Sequence, residues 1–186
     1  MDFAIGGASG LLEVLVTHPF DSYKTHAQVK TSVPWRPFAG VVPRLVGVVP
    51  MRVLFWGTLG SMKEYHPLLA GAATGTLQTL VDAPIENKKI STIMQTTFKP
   101  YRGMLPHCAR NVGFACAVAA TFPLGYGPLG AMVGTTLTHP FDTLKTAEQS
   151  GLPRRALWSG LVPRTAQAVV AISVGQAVHY IARHFA

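Results

Sequence analysis

The sequence predicts an all-α membrane protein, with six transmembrane helices in three two-helix repeats related by pseudo-threefold symmetry. Two observations carry this. Of 186 residues, 48% are hydrophobic and only 13% charged, about half the charged share of an ordinary globular chain. Stretches such as 41–59 and 112–132 are almost free of charge, Arg44 and Arg52 being the exceptions in the first. The second observation is a mark that occurs three times. Pro19-Phe-Asp21-Ser-Tyr-Lys24, Pro84-Ile-Glu86-Asn-Lys-Lys89 and Pro140-Phe-Asp142-Thr-Leu-Lys145 all read Pro-x-acid-x-x-Lys. A fixed period of this kind marks a repeat architecture.

Each repeat unfolds around its proline. Thirteen residues before it stands a glycine (Gly6, Gly71, Gly127), and nine before it another small residue (Gly10, Gly75, Ala131). This small-xxx-small spacing lets membrane helices approach closely where no hydrophobic drive is available. Downstream come an aromatic residue, a glycine two later and a proline three after that: Phe38, Gly40, Pro43; Tyr101, Gly103, Pro106; Trp158, Gly160, Pro163. A proline in the first turn costs little, because its N–H would have no helical partner there. Spans are thus expected at 3–28, 41–63, 67–95, 104–125, 128–149 and 161–184, within repeats 1–65, 66–126 and 127–186 of a single domain. Lys30, Arg36, Lys99, Arg102, Arg154 and Arg155 fall in the within-repeat connections, against only Lys63 and Glu64 between repeats. That bias places the within-repeat connections on the matrix-like or cytosol-like side.

Other classes find no footing. The net charge of +8 is not gathered on one face and no nucleic-acid module is legible, so no nucleic-acid partner is expected. Cys108 and Cys116 are eight apart on one predicted helix, about 12 Å along its axis, too far to bridge. The seven histidines show no metal-ligand spacing, so neither metal nor catalytic site is expected, and no enzyme. The apolar segment beginning almost at Met1 lacks a basic flank, so no cleavable signal is expected.

These columns together resemble the mitochondrial carrier family over nearly the whole chain. The resemblance implies a barrel of six tilted helices around a solute cavity in the inner mitochondrial membrane. It implies a matrix-side gate formed by Asp21 with Lys89, Glu86 with Lys145 and Asp142 with Lys24, braced by Gln28 and Gln149, with Ile93 at the third brace position. A static ion-pair staple is the plainer reading of the same six charges. The family's solute contacts map to Gly47-Val48, Arg110-Asn111 and Gln167-Ala168. Arg110 beside Asn111 suits a carboxylate, although with no cation at Gly47 or Gln167 a dicarboxylate would be half satisfied, and Arg110 could instead pair with an acid. Glu13, mid-helix, is a solute or proton contact or a partner for Arg52.

The chain departs from the family in two ways. The far-end acid positions hold Gly60, Pro123 and Tyr180, while Lys63, Tyr126 and Arg183 occupy the base positions. Only about twenty residues separate signature proline from helix glycine in every repeat, leaving no room for the family's amphipathic matrix helix. Cardiolipin remains conceivable as a bound lipid at Gly40, Arg102, Gly103 and Gly160, where helix N-termini open, but Ala39 and Ser159 stand where bases are usual. No cofactor is expected, and the partners are the bilayer, inner-membrane complex subunits or a small carboxylate. Retained packing features with lost gating acids favour a carrier-derived accessory subunit of a larger inner-membrane complex. The alternative is an active exchanger of a keto acid or dicarboxylate at Arg110-Asn111.

Overall fold

The computed structural model describes residues 2–62 and 64–185, without the side chains at 2–10, 12, 13, 123, 175, 176 and 178–185. Six helices follow one another: α1 (Asp2–Gln28), α2 (Val41–Ser61), α3 (Pro67–Met94), α4 (Met104–Thr121), α5 (Gly127–Ser150) and α6 (Leu161–Phe185). A short 3-10 turn, Phe122–Leu124, extends α4. There is no strand among the described residues. Each helix packs on its neighbours in sequence and α1 packs on α6, so the bundle is closed, and α1, α3 and α5 also touch one another.

The helices begin where the sequence places them. α2 and α4 open after Gly40 and Gly103, with φ of 75° and 68°, and Gly160 before α6 has φ 82°. An L side chain in that left-handed region is strained, which explains why glycine stands there. Pro19, Pro84 and Pro140 lie inside α1, α3 and α5 without ending them.

The connections 29–40, 95–103 and 151–160 contain no helix. Two of them join instead: Val29 bridges Arg154, Lys30 N donates to Pro153 O at 2.7 Å and Arg155 N to Gln28 O at 2.8 Å. Short as they are, these loops satisfy the orphan carbonyl end of α1.

The distribution of side chains is inside out. Buried polar and charged residues outnumber buried apolar ones, and Val46, Leu105, Leu137 and Val162 are among the exposed large apolar residues, Leu105 at 83%. Among the described residues only α2 is both long and apolar enough to cross a membrane by composition, with a shorter apolar stretch at Leu161–Val174. Hydropathy therefore does not carry the expectation of six spans. The odd helices fail that test because the polar residues that would disqualify them, such as Thr79, Asp82, Asn87 and Lys89 on α3, point inward.

The small-xxx-small expectation holds in the second repeat, and in the third further glycines meet α4. A Cβ on Gly75 would lie 2.5 Å from Val112 Cα, and one on Gly71 2.5 Å from Cys116 N, so α3 and α4 meet backbone to backbone. In the third repeat a close approach to α4 falls at Gly130, against Ala117 O, and at Gly134. Ala131 instead joins the apolar cluster with Ala70, Ala115, Val118 and Ala119. Gly6 and Gly10 lie among the residues whose side-chain surroundings are not described.

Candidate functional site: an ion-pair ring beneath a cationic cavity

At the end of the bundle where α1, α3 and α5 meet, their signature residues interlock. Lys89 Nζ lies 2.6 Å from Asp21 Oδ2, Lys24 Nζ 2.7 Å from Asp142 Oδ2, and Lys145 Nζ 3.0 Å from Glu86 Oε1. These are the three interhelix pairs that the family resemblance implies. Lys89 and Lys145 also reach the acid three residues earlier on their own helices, Glu86 at 2.7 Å and Asp142 at 3.7 Å. The six charges thus form one connected series from Asp21 to Lys24, all with side chains at most 6% exposed. Ionised groups taken out of water persist only when paired this closely.

The loops hold this end in place through contacts that recur from repeat to repeat. The residue three after each signature proline donates to a carbonyl of the following connection: Ser22 to Arg36 O at 2.9 Å, Asn87 to Pro100 O at 3.1 Å, Thr143 to Leu157 O at 2.7 Å. His18 and His139 bond Ala39 O and Ser159 O at 2.8 and 3.0 Å, just before the helix glycines. A Cβ on Gly40, Gly103 or Gly160 would lie 2.8, 3.2 or 3.1 Å from the carbonyl oxygen of Lys89, Lys145 or Lys24. The glycines therefore let each even helix start directly against the lysine-bearing turn of another repeat.

The two braces differ. Gln28 Nε2 donates to Asp142 Oδ2 at 2.8 Å, and Thr146 donates to Gln28 Oε1 at 2.7 Å. Gln149 is buried, yet neither its amide nitrogen nor its oxygen has a partner, so it does not brace Glu86. Its stem instead lies against Gly103, where α4 opens. Ile93 sits in an apolar cluster with Val29, Ile90 and Met94.

Beyond the ring lies a cavity with about 120 Å³ open to the centre of a water molecule, room for several waters or one small organic solute at roughly 10–15 Å³ per water. Asp21, Lys24, Glu86 and Lys89 reach it from the ring, while Arg44, Arg52, Arg110 and Arg164 line it with Asp82, the single further acid among the described residues. Phe55 and Phe114 line it too. They belong to an aromatic cluster, with ring centroids 6.5 Å apart for that pair, 5.0 Å for Phe55–Trp56 and 4.7 Å for Trp56–Phe122.

The predicted solute contacts divide. Arg110, Asn111, Gln167 and Ala168 line the cavity, and Val48 does so in place of Gly47. Gly47 is occupied in packing, since a Cβ there would lie 2.7 Å from Ile85 Cγ2. Arg110 is not free: its Nε lies 3.4 Å from Asp142 Oδ1 and its Nη1 donates to Asn111 Oδ1. Asn111 in turn donates to Thr79 Oγ1 at 3.0 Å. The side chains of Glu13, Pro123, Tyr180 and Arg183, and Lys63 altogether, lie outside the described residues. Of the lipid-site positions, Arg102 sits over the C-terminal turn of α5 at Gly151.

The sequence reading missed a column of bases. Arg44, His107 and Arg164 each stand four residues after the helix glycine and directly after the repeat proline. Arg44 reaches Asp82 at 3.9 Å and Glu86 at 3.8 Å, and His107 Nε2 lies 3.2 Å from Asp82 Oδ2. Arg164 donates to Gln167 Oε1 at 3.1 Å and is 9% exposed. Gly47 and Gln167 supply no cation, as expected, but Arg44 and Arg164 stand about one turn earlier on α2 and α6 and line the same cavity.

The described residues thus form a closed helical bundle that is polar within and apolar without, with crossed ion pairs at one end of an internal cavity. No family model matches the chain. Among characterised proteins it is similar to a probable mitochondrial 2-oxodicarboxylate carrier of Schizosaccharomyces pombe, 25% identical across 87% of this chain and 76% of that protein. It is also similar to the mitochondrial basic amino acids transporters of Homo sapiens, 29% identical over 61% of this chain, and Rattus norvegicus, 30% identical over 56%. The chain spans less than half the length of those two, 46% and 44%. The chain is a shortened relative of the mitochondrial carriers.

Proposed function

We propose that this protein is a solute carrier of the inner mitochondrial membrane that takes small organic carboxylates into its central cavity. In this reading all six helices span the bilayer in three symmetric repeats, the exposed valines and leucines meet lipid, and the ring closes the matrix side. The observation that carries it is the cavity wall, where Arg44, Arg110 and Arg164 stand outside the neutral ring and Asp82 is the one further acid among the described residues. In a low-dielectric interior such a surplus of positive charge is costly unless water or an anion answers it. The two kinds of relative differ in what their names say they carry, oxodicarboxylates or basic amino acids. A cationic wall repels a basic amino acid and attracts a carboxylate, which guanidinium forks bind with two parallel hydrogen bonds.

Arg110 links that wall to the ring. A carboxylate arriving at Arg110 competes with Asp142 for the same guanidinium, and Asp142 is also the partner of Lys24. Solute entry thereby weakens one side of the closed ring, the kind of differential contact that shifts a two-state equilibrium.

A second reading, an accessory subunit of a larger inner-membrane complex, is favoured by the far-end acid positions, which hold Gly60, Pro123 and Tyr180. Counter-exchange in proteoliposomes separates the two. The carrier reading expects saturable uptake of labelled 2-oxoglutarate, competed by other 2-oxo acids and not by arginine. Absence of uptake from protein that co-purifies only with a larger assembly supports the accessory role.

A further inference from the structure

The column of bases holds one member of a different kind. Arg44 and Arg164 line the cavity, while the second repeat has His107 at the same step. Arginine stays charged at any pH a protein meets, whereas histidine gains and loses its charge near neutrality. His107 lies in the first turn of α4, fully buried, beside Asp82, which lines the cavity from α3. Three histidines have at most 1% of their surface exposed among the described residues: His18, His107 and His139. His18 and His139 bond backbone carbonyls, and only His107 faces a carboxylate, its Nε2 lying 3.2 Å from Asp82 Oδ2.

Both members of this pair have capacity left over. With Nε2–H on the carboxylate, His107 Nδ1 is a bare acceptor, and it has no hydrogen-bond partner among the described residues. Asp82 Oδ1 accepts no hydrogen bond there either, Arg44 Nη1 standing 3.9 Å away. Asp82 thus connects cavity water to a buried imidazole that carries one proton and has a place for a second. The charges that face His107 are Asp82 from α3, Lys145 from α5 and Arg110 from its own helix. Those that face Asp82, besides His107, are Glu86 of α3 and Arg44 of α2. Asp82 stabilises an imidazolium at this position, and the two cations oppose it. One of those cations, Arg110, is the group to which the carrier reading brings a carboxylate. An anion there cancels part of the field of Arg110, so the imidazolium is favoured while solute is bound.

We infer that Asp82 with His107 forms a proton-binding site coupled to the cavity, so that the protein binds one proton together with each carboxylate solute. The proton comes from bulk water through the cavity, forms the N–H bond at His107 Nδ1, and is held against Asp82 until the solute leaves. No other bond changes. This rests on the carrier reading and adds a second bound species to it. His107 acts through the field in the cavity rather than by touching the solute. Because binding free energies are reciprocal, a proton on His107 strengthens solute binding as much as the solute strengthens proton binding. Solute affinity therefore rises as pH falls, by at most about tenfold per pH unit for one proton.

The test follows binding and protonation together. Purified full-length protein in detergent is titrated with 2-oxoglutarate, whose carboxyls stay ionised from about pH 6 to pH 8. Thermal stabilisation reads binding across that range, and a pH indicator in weakly buffered solution reads the protons taken up per solute. The wild type is expected to take up close to one proton and to need up to about tenfold less solute per unit fall in pH. His107→Gln is expected to abolish the uptake and flatten the pH profile. His107→Arg, which places the base of the other two repeats at this step, is expected to do the same and guards against a fold defect in the glutamine variant. Binding by the wild type with no proton taken up overturns the inference and leaves the carrier reading standing. Undiminished proton uptake by both variants puts the proton on another group and likewise overturns it. No stabilisation of the wild type by 2-oxoglutarate at any pH overturns the carrier reading and the inference together.

Discussion

Lys89→Met lowers the stability of the folded protein by about 3–5 kcal/mol, the cost of leaving one member of a buried ion pair behind. Asp21 is the residue left behind. It is 3% exposed, and Lys89, 2.6 Å away, is its one ion-pair partner among the described residues. Glu86 loses Lys89 as well, yet keeps Lys145 at 3.0 Å and Arg44 at 3.8 Å. Adding Asp21→Asn to Lys89→Met removes the stranded charge, so the double variant recovers most of the loss. Lys24→Met is milder, because Asp142 retains Gln28 at 2.8 Å, Arg110 at 3.4 Å and Lys145 at 3.7 Å. Thermal unfolding in detergent reads this order. Additive effects of Lys89→Met and Asp21→Asn would show that the two side chains are not coupled.

Gly75→Ala is expected to cost about 3 kcal/mol, the upper end of the range for overpacking a tight contact. The new methyl would sit 2.5 Å from Val112 Cα and 2.6 Å from Val112 N. A backbone cannot swing aside as a side chain tip can, so α3 and α4 must separate along the line where they pack. Close approach of this kind is the main source of helix association in lipid. Gly57→Ala in α2 is the control, with nothing within 4 Å of the added Cβ. That change is expected to stabilise by up to about 1 kcal/mol through helix propensity alone. Melting temperatures of the two variants, measured side by side, check the contrast, and equal effects would contradict the packing of α3 on α4.

Much of the architecture was legible because proline and glycine punctuate it. The aromatic-x-glycine steps set the starts of α2, α4 and α6, and the short spacing before them left no length for an extra helix. The interhelix ion pairs were legible from the threefold signature together with the family pattern. Composition was a poorer guide, since among the described residues only α2 is long and apolar enough to cross a membrane, the odd helices turning a polar face inward. The base column was present in plain view as Pro43-Arg44, Pro106-His107 and Pro163-Arg164. Its direction was not, because which face of a helix turns inward is decided by packing against its neighbours. The same holds for Gly47, whose lack of a side chain serves Ile85 rather than a solute.

The far end illustrates a limit of pattern reading. The absence of acids at the positions of Gly60, Pro123 and Tyr180 suggested lost machinery. The structure places an aromatic cluster of Phe55, Trp56, Phe114 and Phe122 beside the cavity. Contacts among aromatic rings are worth about 0.5–1.5 kcal/mol each beyond burial.

Whether a solute enters the central cavity is tested most directly by thiol protection. Met51 lines the cavity and is 6% exposed, and the two native cysteines, Cys108 and Cys116, are free. Met51→Cys in a Cys108→Ser, Cys116→Ser background, reconstituted in liposomes, is expected to react with a membrane-impermeant thiol reagent and to be protected by 2-oxoglutarate but not by arginine. A labelling rate indifferent to 2-oxoglutarate, or protection by arginine in its place, would contradict a carboxylate-binding cavity.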